Sequence, residues 1–316
     1  MKRIILFLIL LAVPFLLFGW GQDIRLKTPS SGIMGRTPSS GLAGGTGVIV
    51  PSDALYTESG QPLITESRQF ILVEIGPSEE EPPIPPLSTP VLLNALAETT
   101  IDDTVTSNSI SPSANALLVA LVGWVEDGVT NPEPFTCSDS LTGTSAWTVH
   151  VTTSYVINTG IWNVNAVICT AVTGSSPGSG TVTVTSDGTA TGRKNLHVVE
   201  VSQGYDASTP VRQTKAGGDP GTGATTLTLM LDSTPLSTSI VFGVIGLNAD
   251  TVNGVTPGAT FTELGDTVAS AGESECVAES QYDEDDATTT VDWDNGAHSS
   301  ADGGSAGVAV EIQQGT

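Results

Sequence analysis

From Val91 onward, short runs of Val, Ile, Leu and Thr alternate with breaks built from Gly, Asn, Asp and Ser. These runs predict strands near 91–98, 104–110, 116–125, 134–138, 147–152, 161–172, 180–185 and 195–202. A second set follows near 225–231, 238–247, 260–264, 273–281, 288–293 and 305–312. Asp127-Gly128, Asp187-Gly188, Asn253-Gly254, Asn295-Gly296 and Asp302-Gly303-Gly304 supply the turns. No stretch holds apolar residues at helical spacing for three turns, so the expected class is all-β.

The two sets read as one unit written twice. Leu117–Gly123 (LLVALVG) matches Ile240–Gly246 (IVFGVIG), and Phe135-Thr136 answers Phe261-Thr262. Thr181–Gly188 answers Thr289–Gly296, and Val199-Glu200-Val201 answers Val310-Glu311-Ile312. Two arrangements fit a duplicated unit. The halves could stand as tandem sandwiches over 91–204 and 209–314, or interleave into one two-sheet, jelly-roll-like sandwich. The short link from Val201 to Val211 favours the interleaved form.

Upstream, the pattern changes. Lys2 and Arg3 precede an apolar run from Ile4 to Phe18 and then Gly19-Trp20-Gly21, the layout of a secretory signal peptide over residues 1–21. Residues 22–75 hold a nine-residue Pro/Ser/Gly repeat at Thr28 and Thr37. An eight-residue repeat follows at Leu55-Tyr56-Thr57-Glu58-Ser59, Leu63-Ile64-Thr65-Glu66-Ser67 and Ile71-Leu72-Val73-Glu74. A single such copy cannot bury its apolar side alone, which points to stacking in cis or to a homo-oligomer built through these repeats. Residues 76–90, with six prolines and Glu79–Glu81, read as an extended acidic linker.

Charge narrows the partners. With 34 Asp and Glu against 10 Lys and Arg the formal charge is −24, and from Ser88 onward the only cations are Arg193, Lys194, Arg212 and Lys215. Such a field repels phosphate backbones, so no nucleic-acid partner is expected. No His or Cys spacing suits a transition metal, and no cofactor is called for. Asp283, Asp285, Asp286, Asp292, Asp294 and Asp302 cluster around two turns, and their carboxylates are the hard oxygen ligands a Ca²⁺ ion takes. On strand alternation alone, Asp292 and Asp294 are outward positions flanking inward Val291 and Trp293. Of the three cysteines, Cys137 and Cys169 could pair, leaving Cys276 free.

Signs of an enzyme are weak. G-x-S-x-G occurs at Gly174–Gly178 and Gly303–Gly307. In the first, Pro177 removes the N–H an oxyanion hole needs, and in the second Ser305 opens a strand. His197 shares a strand face with Val199 and Val201, which suits a satisfied buried histidine. Glu200 and Glu311 read as outward-facing duplicated framework residues. A carbohydrate-binding module is the alternative reading, with Trp124, Trp147, Tyr155, Trp162 and Trp293 as stacking candidates.

The order of landmarks runs from an apolar strand and a Phe-Thr strand through a long strand and a Thr-Val strand to V-V-E-V, then Asp206-Ala207-Ser208-Thr209-Pro210-Val211. It resembles uncharacterised β-sandwich modules of phage structural and bacterial surface proteins, over about residues 89–314. The T-E-S repeats also resemble phage structural proteins. The resemblance implies a non-catalytic structural or adhesive module on a bacterial envelope or a virion appendage. Its partners would then be a cell-surface glycan or protein, or virion neighbours. Localisation would be secreted or cell-surface, or alternatively the virion surface.

Overall fold

A computed structural model describes residues 48–50, 71–73, 84–127, 134–157, 162–186, 192–219, 226–249, 255–270, 275–284, 288–294 and 304–315. The chain divides into two units, Met1–Pro83 and Ile84–Thr316. In the first, β1 (Val48–Val50) and β2 (Ile71–Val73) pair antiparallel with Ile49 opposite Leu72. β2 is the start of the third eight-residue repeat. The other repeats and residues 1–21 lie outside the described residues.

Among its described residues the second unit contains strands and no helix. The first half runs β3 (Val91–Asp102), β4 (Thr104–Thr106), β5 (Leu117–Asp127), β6 (Thr136–Asp139), β7 (Thr148–Ile157), β8 (Trp162–Val172), β9 (Val182–Thr185) and β10 (Gly192–Val201). The second half runs β11 (Val211–Asp219), β12 (Thr226–Met230), β13 (Ile240–Ala249), β14 (Thr256–Pro257), β15 (Thr262–Ser270), β16 (Glu275–Glu284), β17 (Thr290–Asp294) and β18 (Gly304–Ile312).

The duplication is complete at the level of topology. The first half forms a five-stranded sheet ordered β3-β10-β5-β8-β7 and a three-stranded sheet ordered β4-β9-β6. The second half repeats it as β11-β18-β13-β16-β15 and β12-β17-β14. In each half the chain crosses between large and small sheets at every connection except β7 to β8 and its counterpart β15 to β16, which is jelly-roll-like wiring. Even the edge irregularity recurs: the bulge between Val149 and Val151 on β7 matches the one between Glu263 and Gly265 on β15.

The halves do not interleave, contrary to the arrangement favoured from the short link. Each of these four sheets draws its strands from one half only. Each half has enough strands for its own two layers because β11 and β14, unmarked in the sequence pattern, complete the second set. Each half seals its own core. Leu118, Ala120, Val122, Trp124, Val182 and Val184 fill the first, and Leu229, Val241, Ile245, Val291 and Trp293 the second.

The outer faces of the two large sheets are also apolar, and they bury each other. Leu117, Val119, Leu121, Ile168 and Val199 pack with Ile240, Phe242, Val244, Val308 and Val310 in a third core. All residues of β10 and β18 are therefore buried, and the runs at Leu117 and Ile240 are nearly continuous rather than alternating. The contact has pseudo-two-fold symmetry. β5 lies on β13, β3 on β15 and β11 on β7, while β10 meets β15 and β16 as β18 meets β7 and β8.

Registers refine the equivalences. Leu117 and Ile240 are the same position, each opposite the last residue of its neighbouring strand, Val201 or Ile312. Phe135 and Phe261 are not equivalent: Phe135 precedes β6 in a small sheet, and Phe261 precedes β15 in a large one. Trp147, just before β7, is the true counterpart of Phe261, because Thr148 and Thr262 both lie opposite equivalent residues, Thr170 and Tyr282. The Thr-Val match is also one residue out. Val182 and Val184 face inward as Val291 and Trp293 do, and a one-residue slip would turn every side chain over.

The end of the proline-rich stretch belongs to this unit. Gln314 Nε2 donates to the Pro85 carbonyl (2.9 Å), and Ser88 Oγ accepts from Ser202 N (2.8 Å). Gly204, at φ +86°, leaves room for the Pro86 carbonyl, which a β-carbon would approach to 2.3 Å.

Candidate functional site

The acidic turn residues are only partly described: Asp285, Asp286 and Asp302 lie outside the described residues. Asp283 sits half-buried on β16 opposite Val241. On β17, Val291 and Trp293 point into the core while Asp292 and Asp294 alternate with them, so strand pleating accounts for both carboxylates. Among the described residues no three His, Cys, Asp or Glu side chains are placed to hold a metal ion.

The described members of the aromatic set do not converge on one surface. Trp124 and Trp293 are fully buried in different cores, so neither can stack on a glycan. Trp147 is half-buried and donates to Asp139 Oδ2 (2.6 Å). Tyr155 packs on the core between the halves, against Gly218. The Trp162 side chain lies outside the described residues.

Glu200 and Glu311 are buried rather than outward-facing. Their strands begin pairing at the same sheet end, and each carboxylate turns to receive the loop that enters the central strand. Glu200 Oε2 accepts from Ser113 N (2.8 Å), and Glu311 Oε1 from Leu236 N (2.8 Å). Ser113 and Leu236 each stand four residues before the matched pair Leu117 and Ile240. Glu311 also binds Arg212 Nη1 (2.7 Å) and Gln213 Nε2 (2.6 Å). Burial alone would raise its pKa, but the Leu236 N–H, Ser239, Gln213 and Arg212 together hold it below the ordinary carboxylate value.

The interface between halves is polar on one side of its pseudo-axis. Asn195 Nδ2 donates to the Cys276 carbonyl (2.9 Å) and sulfur (3.2 Å). The His197 ring lies between Ser280 Oγ and Thr267 Oγ1, each at 2.7 Å. Ala306 and Val308 occupy the matching positions on β18, with Val164 and Ile168 opposite. His197 is thus a satisfied core histidine. Desolvation lowers its pKa to about 4, which keeps it neutral near pH 7. A serine beside this histidine forms no hydrolytic dyad, since both are buried and the second ring nitrogen is occupied by Thr267. Desolvation raises the Cys276 thiol to about 12 despite its polar neighbours, so the sulfur is unreactive in the folded chain.

Cys137 and Cys169 form a disulfide that joins β6 of the small sheet to β8 of the large one. In the second half the corresponding link is Gln281, which accepts from Gly258 N (3.0 Å) and donates to the Asp292 carbonyl (3.1 Å). One position away along the inner face of β16, Glu279 is buried with neither oxygen hydrogen-bonded. Desolvation, with added repulsion from Glu263 and Asp266, raises its pKa to about 8.

A charged pair closes the far end of the first sandwich. Lys194 is fully buried on β10, and its ammonium lies 5.0 Å from the centre of the Trp124 ring. Nζ meets the Asp102 carboxylate and donates to the carbonyls of Asp102 (3.0 Å) and Thr104 (2.7 Å), where the chain leaves the large sheet for the small one. Burial would raise the Asp102 pKa, but Lys194 and the Thr104 N–H more than offset that and lower it. Fully buried Glu126 lies in the same row: Gly192 on β10 has Asp102 opposite it on β3 and Glu126 on β5. The sequence did carry a sign of this, because Lys194 shares the inward parity of Leu196 and Val198.

Comparison of the chain with protein-family models, with curated proteins and with solved structures finds no match.

Proposed function

We propose that this protein is a non-catalytic structural or adhesive module displayed on a bacterial envelope or a phage virion appendage. The observation that carries the reading is the Cys137–Cys169 disulfide across the first sandwich, since such links persist in oxidising compartments outside the cytosol. It agrees with the signal-like pattern of residues 1–21. The electrostatics agree as well. Lys194, Arg212 and Lys215 are paired with Asp102, Glu311 and Asp232, and Arg193 is buried. The folded body therefore turns an almost wholly acidic exterior to its surroundings, which disfavours nucleic acid and suits a protein or glycan surface, or neighbouring subunits of a particle. Duplicated jelly rolls with every large apolar sheet face covered make a compact block fit for display.

The test is expression of the full chain in a bacterial host, followed by fractionation and mass analysis. Recovery outside the cytoplasm, cleaved after Gly21 and with one disulfide, is the expected result. Retention in the cytoplasm with residues 1–21 intact and three free thiols would remove the basis for the proposal.

A further inference from the structure

We propose that Lys194 and Asp102 condense into an intramolecular isopeptide bond, with Glu126 carrying the protons. The proposal does not depend on where the protein is displayed. Three features place the reaction here. Lys194 is fully buried, yet its Nζ is in direct contact with the Asp102 carboxylate. Two backbone carbonyls, of Asp102 and Thr104, fix the nitrogen in that position. Glu126, also fully buried, stands in the same row, opposite Gly192 on one side as Asp102 is on the other.

The second half shows that the fold does not require these groups. In the same strand positions it has Ser305 for Lys194, Ala249 for Glu126 and Leu247 for Trp124. A fully buried ammonium is costly unless it is paired or neutralised. Condensing it with the half-exposed Asp102 carboxylate into an amide removes that charge. Held in contact, the two groups also react without the entropy loss of a bimolecular encounter.

The step balances without a co-reactant. The Lys194 ammonium gives up a proton and Asp102 gains one, through Glu126. The amine lone pair then attacks Asp102 Cγ and forms the N–C bond. The tetrahedral carbon expels one oxygen as water, taking the amine's second proton by way of Glu126. An ammonium and a carboxylate become a secondary amide and one water, with nothing oxidised or reduced.

The measurement is the intact mass of the full chain, reduced and denatured, with tandem mass spectrometry of its proteolytic fragments. The expected mass is one water below that of the mature sequence, with a branched fragment joining the Lys194 and Asp102 peptides. Lys194→Arg restores the full mass. Glu126→Gln slows formation of the branched fragment at least tenfold in protein whose circular dichroism is unchanged. A folded wild-type chain at full sequence mass overturns the proposal. So does a lost water without the branched fragment, which would place dehydration at an Asp-Gly turn. Equal rates in wild type and Glu126→Gln overturn the role given to Glu126.

Discussion

Gly123 and Gly246 occupy the same position in the two halves and lie back to back where those halves meet. A β-carbon on Gly123 would stand 3.1 Å from Gly246 Cα and 2.6 Å from Ala278 Cβ. One on Gly246 would stand 3.2 Å from Gly123 Cα and 2.6 Å from the Asn165 carbonyl. The central strands β5 and β13 touch through this glycine pair, and backbone on the opposite side leaves little room to relax. Gly123→Ala should therefore destabilise the protein by about 1–3 kcal/mol, the usual cost of overpacking a filled core. Gly246→Ala should cost a similar amount. Urea midpoints read this directly; an unchanged midpoint in both variants would mean that the halves are not packed at this point.

The same pair shows how much of the fold was legible. Matching apolar runs at Leu117 and Ile240 identified the duplication, because both central strands are buried on both faces and read alike. Nothing in either run says which surface covers the second face. Interleaved sheets and stacked sandwiches bury the same residues, so the arrangement of the halves was not readable from pattern. Strand β11 was missed for a related reason: VRQTKAGGD is an edge strand, only partly buried, with glycines where Leu229 and Tyr155 approach closely. Of the aromatic candidates, Trp293 reads as inward from strand alternation alone, whereas Trp124 sits in a nearly continuous apolar run and its inward turn shows only in the register of β5 with β10.

His197 and Glu279 should give the stability a distinctive pH profile. His197 is depressed from 6.5 to about 4, so its contribution is complete above pH 6.5 and is lost as pH falls toward 4. That amounts to about 3 kcal/mol. Glu279 is raised from 4.5 to about 8, so its contribution is present below pH 4.5 and is lost as pH rises toward 8, by about 5 kcal/mol. Between pH 4.5 and 6.5 the two slopes oppose each other, and above 6.5 only the Glu279 decline remains. Urea midpoints should be level across the acid window and fall from pH 6.5 to 8, and Glu279→Gln should abolish that fall. A wild-type midpoint that holds steady up to pH 8 would show Glu279 to be solvated.

The duplicated glutamates allow a comparison within one molecule. Glu311→Ala strands the Leu236 N–H, Gln213 and the Arg212 guanidinium together. Glu200→Ala removes its bond to the Ser113 N–H. The first should cost about 3 kcal/mol, as for a broken buried ion pair, and the second about 1–2 kcal/mol. Chemical denaturation of the two variants side by side settles the order; the reverse ranking would contradict the role assigned to Arg212.

The cysteines should separate by reactivity. In native protein neither the Cys137–Cys169 disulfide nor buried Cys276 should react with a thiol reagent, and unfolding without reductant should release a single reactive thiol. Replacing both Cys137 and Cys169 by Ala should lower stability by about 4 kcal/mol, the loop-entropy value for a cross-link spanning a separation of 32 residues. Three reactive thiols on unfolding would show that the link does not form.

Assembly should reside in the N-terminal unit. Among the described residues of 84–316 the outer faces of both large sheets are already consumed by each other, so neither large sheet is left with an apolar face that calls for a partner copy. The opposite holds for the repeats around β1 and β2. An isolated two-stranded pair is marginal in water, and each eight-residue repeat has an apolar side that one copy cannot bury. Light scattering on purified residues 84–316 should therefore give a monomer, and on residues 22–316 an oligomer. A monomer from both would make residues 22–83 a tether, and the apolar positions of the repeats would then need a different partner. An oligomer from residues 84–316 alone would move the assembly surface onto the sandwiches, where Met230 on the small sheet stands open to solvent.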